Sequence, residues 1–329
     1  MNVGFLRTTI PLVSLFAVGC APSGGFKITP IPADQTLEEQ IVHKSPGWVS
    51  NRIAIIDVSG ILMNAHSPSF FGSGEHPVAL AVEKLESAAE DKRVKAIVLR
   101  INSPGGSVTA SDSMYQEVLA FKARTKKPVV AYFQDVAASG AYYLACAADE
   151  IIAQRTSVTG SIGVIMQMVD FTETMNKLGI GADAIKSGPY KDSGSPLRPM
   201  KPNERELFQG LVDGFYQQFV DVVAAGRPNL SRPDVARLAD GRVYNAQQAL
   251  ESGLVDRIGT LTDAIEVAKK RAGITSAHTI IYRRPLDWTP NIYAHAPGPP
   301  ATQNINLFNI NLPEIWTRTP VFMYIWHLD

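Results

Sequence analysis

The sequence predicts an α/β fold in which repeated βαβ units build a largely parallel sheet. From Arg52 onward, apolar runs of strand length alternate with longer amphipathic segments of helical period. Strands that are joined by helices pair in parallel through right-handed crossovers, so this order favours one main sheet. Hydrophobic residues make up 45% of the 329 residues and charged residues 19%, a balance that allows a sizeable buried core.

The first half of the domain is expected to contain three strands and two helices before a buried helix. The strands are predicted over residues 53–58, 94–101 and 129–133, and the helices over residues 78–90 and 108–123. The loops after the second and third strands are residues 102–106 and 134–139. Because ligands bind at the carboxyl ends of parallel strands, both loops are expected to meet at one site.

The second half is expected to be richer in helices. Short strands are predicted over residues 151–153, 159–165 and 182–185, and helices over residues 171–178, 202–225, 232–239, 246–252 and 262–272. Residues 186–196 contain two glycines and two prolines, which excludes a regular helix or a central strand there. This segment is therefore predicted to be an irregular loop.

The N-terminus carries an export signal. Residues 10–19 form an apolar run after Arg7 that is too short to span a bilayer, so residues 1–19 are predicted to be a signal peptide. Residues 17–20 resemble the lipobox of bacterial lipoproteins, in which cleavage before the cysteine is coupled to its lipidation. The resemblance implies an exported lipoprotein, anchored to a membrane through Cys20 and facing the periplasm or the cell exterior. Ordinary secretion, an uncleaved anchor and a free or disulfide-bonded Cys20 are the alternatives.

Two further segments flank the predicted domain, which spans residues 52–282. Residues 20–51 are rich in proline and glycine near their start and are predicted to be a tether. Residues 283–329 hold seven of the 22 prolines and are predicted to be an irregular C-terminal tail. The apolar end of this tail, residues 320–326, is expected to dock on another surface.

Composition excludes several classes of function. The 31 basic and 31 acidic residues balance, and the sequence contains no basic cluster interleaved with aromatic residues, so nucleic-acid binding is not expected. It also contains no P-loop, dinucleotide-binding glycine motif or HExxH zinc motif. No cofactor and no metal are therefore expected.

Ser139 begins an apolar run that is typical of a buried helix. Backbone N–H groups at a helix start lack intrahelical partners, so an oxyanion that forms beside Ser139 would find hydrogen-bond donors. A serine that only caps the helix is an equally good interpretation of this stretch. The Gly-Gly pair in the loop 102–106 would let a second backbone N–H approach the same carbonyl, although a tight turn would also explain it.

A nucleophilic serine needs a base. None of the six histidines lies between residues 77 and 277, although His66 or His76 could fold back toward Ser139. Lys191, in the irregular loop, is the better candidate, because a desolvated lysine can lose its proton near neutral pH. The neighbouring Asp192 favours the charged lysine, so a solvated surface lysine remains an alternative.

Four segments together resemble the bacterial signal peptide peptidase A family in its short form. They are residues 100–106, 135–143, 159–164 and 188–192, and they occur in the family's order. The resemblance implies the Clp-protease/crotonase-like fold and a serine peptidase with a Ser-Lys dyad. It implies that Ser139 is the nucleophile and Lys191 the general base, that the N–H groups of Gly106 and Gly140 form the oxyanion hole, and that Ser161 orients the lysine.

The resemblance also implies partners. It predicts a homo-oligomeric ring in which the serine and the lysine of one site come from neighbouring subunits, and it predicts apolar peptides such as remnant signal peptides as substrates.

Two rival functions remain at this stage. One is a catalytically silent scaffold of the same fold at the membrane. The other is a crotonase-type acyl-CoA enzyme, which the export signal disfavours because coenzyme A is cytoplasmic.

Overall fold

The structure is a computed structural model that describes residues 36–64, 76–285 and 322–326, and the backbone alone of residues 68–69 and 72–73. The predicted signal peptide and Cys20 lie outside the described residues. The strands are β1 Glu38–His43, β2 Arg52–Ser59, β3 Pro68–Ser69, β4 Gly72–Ser73, β5 Val94–Ser103, β6 Gly105–Ser107, β7 Val129–Ala138, β8 Glu150–Ala153, β9 Val158–Gly160, β10 Ile165–Met166, β11 Val243–Asn245, β12 Arg257–Ile258, β13 His278–Arg283 and β14 Phe322–Ile325.

Eight helices connect or cover these strands in the part of the chain that the structure describes. They are α1 Pro77–Glu90, α2 Val108–Thr125, α3 Gly140–Ala145, α4 Thr172–Lys177, α5 Pro202–Gly226, α6 Arg232–Leu238, α7 Ala246–Glu251 and α8 Leu261–Arg271. Most begin where the sequence analysis places them, because proline, serine, threonine or asparagine starts them. None of the described helices is both long enough and apolar enough to cross a bilayer.

The main sheet has nine strands and is largely parallel, as predicted. Its central path runs β1-β13-β2-β5-β7-β8-β12, and β9 and β11 continue from the end of β7. Only the β1–β13 and β9–β11 pairs are antiparallel. A second, three-stranded sheet has the order β10-β14-β6 and is antiparallel throughout.

Helices cover both faces of the main sheet, as the alternation of side chains along β2 shows. Ala54 and Ile56 belong to the core beneath α1, α2 and α3, whereas Ile53 and Ile55 pack in the core beneath α8. All four side chains are at most 1% exposed. A strand buried on both faces has a nearly continuous apolar sequence, which explains why the central strands were predictable.

The structure corrects several predicted boundaries. The predicted tether over residues 20–51 is wrong for Glu38–His43, which forms β1 and covers the edge of the sheet by pairing with β13. The predicted irregular tail over residues 283–329 is wrong for Phe322–Ile325, which forms β14. Both strands pair with segments that lie far away in the sequence, so no local pattern marks them as strands.

Two loop assignments also change. The predicted loop over residues 134–139 is shorter than expected, because residues 134–138 continue β7 and residues 136–138 pair with β9. The predicted strand over residues 182–185 does not form, and these residues are exposed. Ile185 has no neighbouring strand to pair with and is fully exposed, so local β-propensity alone did not produce a strand.

Candidate active site

Ser139 lies at the turn between β7 and α3. Its backbone has φ 54° and ψ −118°, a left-handed conformation that costs a non-glycine residue roughly 1–3 kcal/mol. The Ser139 N–H donates a hydrogen bond of 2.7 Å to the Gly160 carbonyl at the end of β9, which fixes the turn. The pairing of β7 with β9 therefore imposes the strained conformation on this serine.

The Ser139 hydroxyl is buried and has no hydrogen-bond partner among the described residues. The residue is 1% exposed, and its side chain makes no capping hydrogen bond to α3. The alternative of a simple N-cap serine is therefore wrong. A buried hydroxyl without a hydrogen-bond partner costs free energy, which distinguishes this side chain from an ordinary capping serine.

Helix α3 is rigidly held beneath this serine. The Tyr142 hydroxyl donates to the Leu254 carbonyl at 2.8 Å, and the Tyr143 hydroxyl donates to Asp112 Oδ1 at 2.8 Å. Burial raises the pKa of both phenols, so they stay neutral hydrogen-bond donors. Cys146, at the end of α3, is a free buried thiol whose pKa burial raises to about 12.

The two glycine-bearing loops meet beside Ser139. A Cβ atom built on Gly105 would lie 2.7 Å from the Gly140 nitrogen, so the two backbones are in direct contact. The Gly105 carbonyl accepts from the Leu62 N–H at 2.8 Å, and the Ser107 N–H donates to the Leu62 carbonyl at 2.8 Å. Because alternate residues of a strand direct their polar groups to opposite edges, the Gly106 N–H faces away from Leu62.

Lys191 lies in an irregular, exposed loop and does not hydrogen-bond to Ser139 within the single chain. Its backbone N–H donates to the Gly188 carbonyl at 3.2 Å. The structure thus brings Ser139, Gly106 and Gly140 together, and among the described residues no hydrogen bond joins the Ser139 hydroxyl to Lys191.

An ion-pair cluster holds the loop of Lys191 onto the start of α5. Asp192 pairs with Lys186 Nζ at 2.6 Å and with Arg198 Nε at 2.8 Å, and Arg198 also pairs with Glu204 at 2.6 Å. The hydrogen bonds from Arg198 and Lys186 hold the pKa of Asp192 well below its usual range. Its charge is therefore already balanced by these two cations, which weakens the objection that Asp192 keeps Lys191 charged.

Comparison with known proteins places the chain in a family. The model of peptidase family S49 matches residues 121–275, a range that includes Ser139 and Lys191. A predicted signal peptide peptidase SppA of Enterococcus faecium is 33% identical over 88% of this chain and 83% of its own length. The chain belongs to peptidase family S49. It is a serine peptidase with the Clp-protease/crotonase-like fold, as the sequence resemblance implied.

Two longer relatives resemble only part of this S49 peptidase. The chloroplast serine protease SPPA of Arabidopsis thaliana is 38% identical over 68% of the chain and 33% of its own length. Protease 4 of Haemophilus influenzae is 33% identical over 68% of the chain and 35% of its own length. Each relative is thus much longer than the segment that it shares with this chain.

Ser161 lies one residue beyond the Gly160 carbonyl that anchors the Ser139 turn. It is 8% exposed and has a left-handed φ of 50°, and its N–H donates to the Arg242 carbonyl at 2.7 Å. The pairing of β9 with β11 holds this second unusual serine in the S49 peptidase.

The histidine alternative gains no support from the described residues. His76 caps α1, where its Nδ1 accepts a hydrogen bond from the Ala79 N–H at 3.2 Å. His66 lies outside the residues whose side chains the structure describes. No described histidine contacts the Ser139 hydroxyl, because that hydroxyl has no hydrogen-bond partner there.

Sequence analysis missed the contribution of β14 to the site. This strand of the S49 peptidase lies between β6 and β10, and Tyr324 pairs with Gly106. The apolar character of residues 320–326 indicated docking but not its place. The role of Arg198 in holding the loop of Lys191 was also not predicted, because a single arginine belongs to no recognisable motif.

Proposed function

We propose that the chain is a membrane-anchored endopeptidase that hydrolyses apolar peptides with a dyad of Ser139 and Lys191. The observation that carries this proposal is the buried Ser139 hydroxyl, which has no partner among the described residues and lies at a strained turn where two glycine backbones meet. Such an arrangement suits a nucleophile that attacks a carbonyl group, because backbone N–H groups can bind the oxyanion of the tetrahedral intermediate. The second candidate, a catalytically silent scaffold, gives no reason for the strain at Ser139.

The proposed reaction is ordinary acyl transfer. Neutral Lys191 accepts the Ser139 proton while the hydroxyl oxygen attacks the peptide carbonyl, and the N–H groups of Gly106 and Gly140 bind the oxyanion. The lysine then protonates the leaving amine. A water molecule, deprotonated by the same lysine, attacks the acyl-enzyme, and the second product leaves as a carboxylic acid while Ser139 regains its proton. Ser161 is proposed to orient the lysine.

The proposed site requires a second copy of the chain. Ten of the twelve large apolar side chains that are exposed among the described residues fall between residues 165 and 211, the region that carries Lys191. Phe171, Ile185 and Leu211 are examples. Such a concentration of apolar surface is typical of a protein interface. It supports a homo-oligomeric ring in which Lys191 of one subunit reaches Ser139 of the next.

The name of the Enterococcus faecium relative supports remnant signal peptides as the substrate class. Such peptides are apolar and extended when they leave the membrane, and the export signal of this chain would bring the enzyme to the same surface. Lipidation of Cys20 is proposed to provide the anchor, facing the periplasm or the cell exterior. The mass of the mature N-terminal peptide tests this anchor, and an unmodified Cys20 would contradict it.

The dyad is tested by single substitutions in the full chain. Ser139→Ala and Lys191→Met are each expected to lower the cleavage of an apolar fluorogenic peptide by more than about a thousandfold, because the nucleophile and its base act as one unit. Lys92→Met removes an exposed lysine outside residues 165–211 and is the matched control, with activity expected to be unchanged. Wild-type activity in Lys191→Met would exclude the dyad.

A serine-directed probe separates the peptidase from the silent scaffold. The wild-type protein is expected to form an acyl or phosphonyl adduct on Ser139, which intact-mass analysis detects, and Ser139→Ala is expected to form none. An assembled wild-type ring that neither forms the adduct nor cleaves any peptide of a library would establish the scaffold function instead.

A further inference from the structure

Two buried hydroxyls lie against the two glycine backbones of the candidate site. Ser103 is at the end of β5 and Ser111 is near the start of α2, and both residues are 0% exposed. Both hydroxyls make hydrogen bonds to backbone groups, in contrast to the hydroxyl of Ser139. Each hydroxyl therefore fixes a piece of backbone beside the proposed nucleophile.

Ser103 holds the turn that precedes Gly106. Its hydroxyl accepts a hydrogen bond from the Gly105 N–H at 3.1 Å and donates one to the Gly60 carbonyl at 2.6 Å. Gly105 has a φ of 99°, a conformation that is open to glycine but to few other residues. The Ser103 hydroxyl therefore ties a sharply turned stretch of backbone to the segment that follows β2.

The direction of the Gly106 N–H follows from this turn. The Gly105 carbonyl accepts a hydrogen bond from the Leu62 N–H at 2.8 Å. The C=O and the N–H of one trans peptide unit point in opposite directions, so the Gly106 N–H points away from Leu62. Ser103 and Leu62 hold the two peptide units on either side of Gly105. Together they set where this proposed oxyanion donor points.

Ser111 fixes the distance between α2 and the start of α3. Its hydroxyl donates to the Ser107 carbonyl at 2.9 Å, and a Cβ atom built on Gly140 would overlap its oxygen. The Ser111 oxygen therefore lies directly against Gly140, where a larger residue would not fit. Ser107 belongs to β6 and follows Gly106, so this one hydroxyl contacts the backbones of both donor segments.

We propose that Ser103 and Ser111 are positioning residues that set the spacing and direction of the two oxyanion donors, the N–H groups of Gly106 and Gly140. Neither hydroxyl touches the substrate, and each acts through the backbone that it holds. The inference rests on the proposed function, because it takes these two N–H groups to bind the oxyanion. Donors stabilise a transition state best when their geometry is fixed before charge develops on the carbonyl oxygen.

Alanine substitutions in the full, assembled chain test the two serines. Ser103→Ala and Ser111→Ala are each expected to lower kcat for the apolar fluorogenic peptide by about ten- to a hundredfold. KM is expected to change by less than about twofold, because a displaced donor weakens binding of the transition state and not of the ground state. Both variants are expected to assemble as the wild type does.

Two other serines provide matched controls. The Ser87 hydroxyl donates at 2.9 Å to the carbonyl four residues earlier in α1, as Ser111 does in α2. The Ser45 hydroxyl donates to a backbone carbonyl at 2.6 Å, the length of the bond from Ser103, at the opposite edge of the main sheet. Ser87→Ala and Ser45→Ala are expected to retain the kcat of the wild type.

A peptide aldehyde separates positioning from a merely structural role. The Ser139 oxygen bonds to the aldehyde carbon, the hydroxyl proton passes to Lys191, and the former carbonyl oxygen occupies the oxyanion hole as it does in the transition state. The inhibition constant is expected to rise by about the factor by which kcat falls. Active sites are counted by end-point titration with a fluorophosphonate, so that an unfolded fraction does not enter the comparison.

The outcomes distinguish this inference from the proposed function. If a variant loses activity only in proportion to its active sites, and the aldehyde binds the remaining sites as it binds the wild type, that serine only supports folding and its positioning role is wrong. A wild-type kcat and inhibition constant in both alanine variants would overturn the inference while the peptidase assignment stands. If the wild-type protein binds no aldehyde and forms no adduct on Ser139, the proposed function fails, and this inference fails with it.

Discussion

At the scale of single residues, Ser139 combines two unfavourable features. Its φ is positive, and its buried hydroxyl has no partner among the described residues. Both cost free energy in the folded chain, and such costs persist where the surrounding structure imposes them. Here the hydrogen bond from the Ser139 N–H to the Gly160 carbonyl imposes the turn. The serine therefore holds a conformation that the fold maintains at the expense of stability.

The strain at Ser139 can be measured by comparing two substitutions. Glycine adopts a positive φ at no steric cost, whereas alanine does not, so Ser139→Gly is expected to be more stable than Ser139→Ala by about 1 kcal/mol. Both variants lack the hydroxyl and are expected to be inactive. Urea unfolding of the two proteins under the same conditions gives the difference. A Ser139→Ala protein at least as stable as Ser139→Gly would show that the turn is unstrained.

The sequence draws attention to Ser139 but does not predict the geometry of its turn. The sequence shows a hydroxyl before an apolar run, which predicts either a cap or a nucleophile. The structure excludes the cap, because the side chain makes no capping hydrogen bond. The turn that prevents it depends on the pairing of β7 with β9, which joins residues some twenty positions apart. Tyr324 lies much further along the chain from its partner Gly106, so no local pattern could connect the two.

At the scale of elements, the loop of Lys191 depends on ion pairs rather than on regular structure. Arg198 links Asp192 in the loop to Glu204 at the start of α5. The hydrogen bond from Arg198 lowers the pKa of Glu204 from 4.5 to about 2. A carboxyl group with a lowered pKa stabilises the fold above its unfolded pKa, and this contribution is lost as pH falls through the folded value.

The loop is therefore expected to open in acid over a defined range. In the wild-type protein, protection of the loop amides from hydrogen exchange should decline between pH 4.5 and about 2, as Glu204 becomes protonated. Arg198→Met should move this decline upward by about 1–2 pH units, because the main cause of the lowered pKa is removed. Arg232→Met, which breaks the exposed pair with Asp221, is the control. Identical pH profiles for wild type and Arg198→Met would contradict this role of Arg198.

Elements differed in how far the sequence predicted them. The central strands and long helices were predictable because burial on one or both faces leaves a clear apolar period. The edge strand β1 and the central strand β14 of the small sheet were not, since both pair with strands that are distant in the sequence. The strand predicted over residues 182–185 does not form, because its apolar residues have no neighbouring strand with which to pair.

At the scale of the whole molecule, the proposed function requires more than one copy of the chain. The main sheet brings Ser139 and the two glycine backbones together, while Lys191 remains on an exposed loop in a region rich in exposed apolar side chains. Association of copies would bury this apolar surface and could bring the lysine of one copy to the serine of another. Catalytic activity would then depend on the association of copies of the chain.

Complementation between two inactive variants tests this claim most directly. Ser139→Ala and Lys191→Met are co-expressed in equal amounts, and the mixed assembly is purified and assayed with the apolar fluorogenic peptide. If each site takes its serine and its lysine from different copies, about one quarter of the sites contain both, and about one quarter of wild-type activity is expected. Each variant alone should be inactive. A mixed assembly without activity would contradict a site shared between subunits.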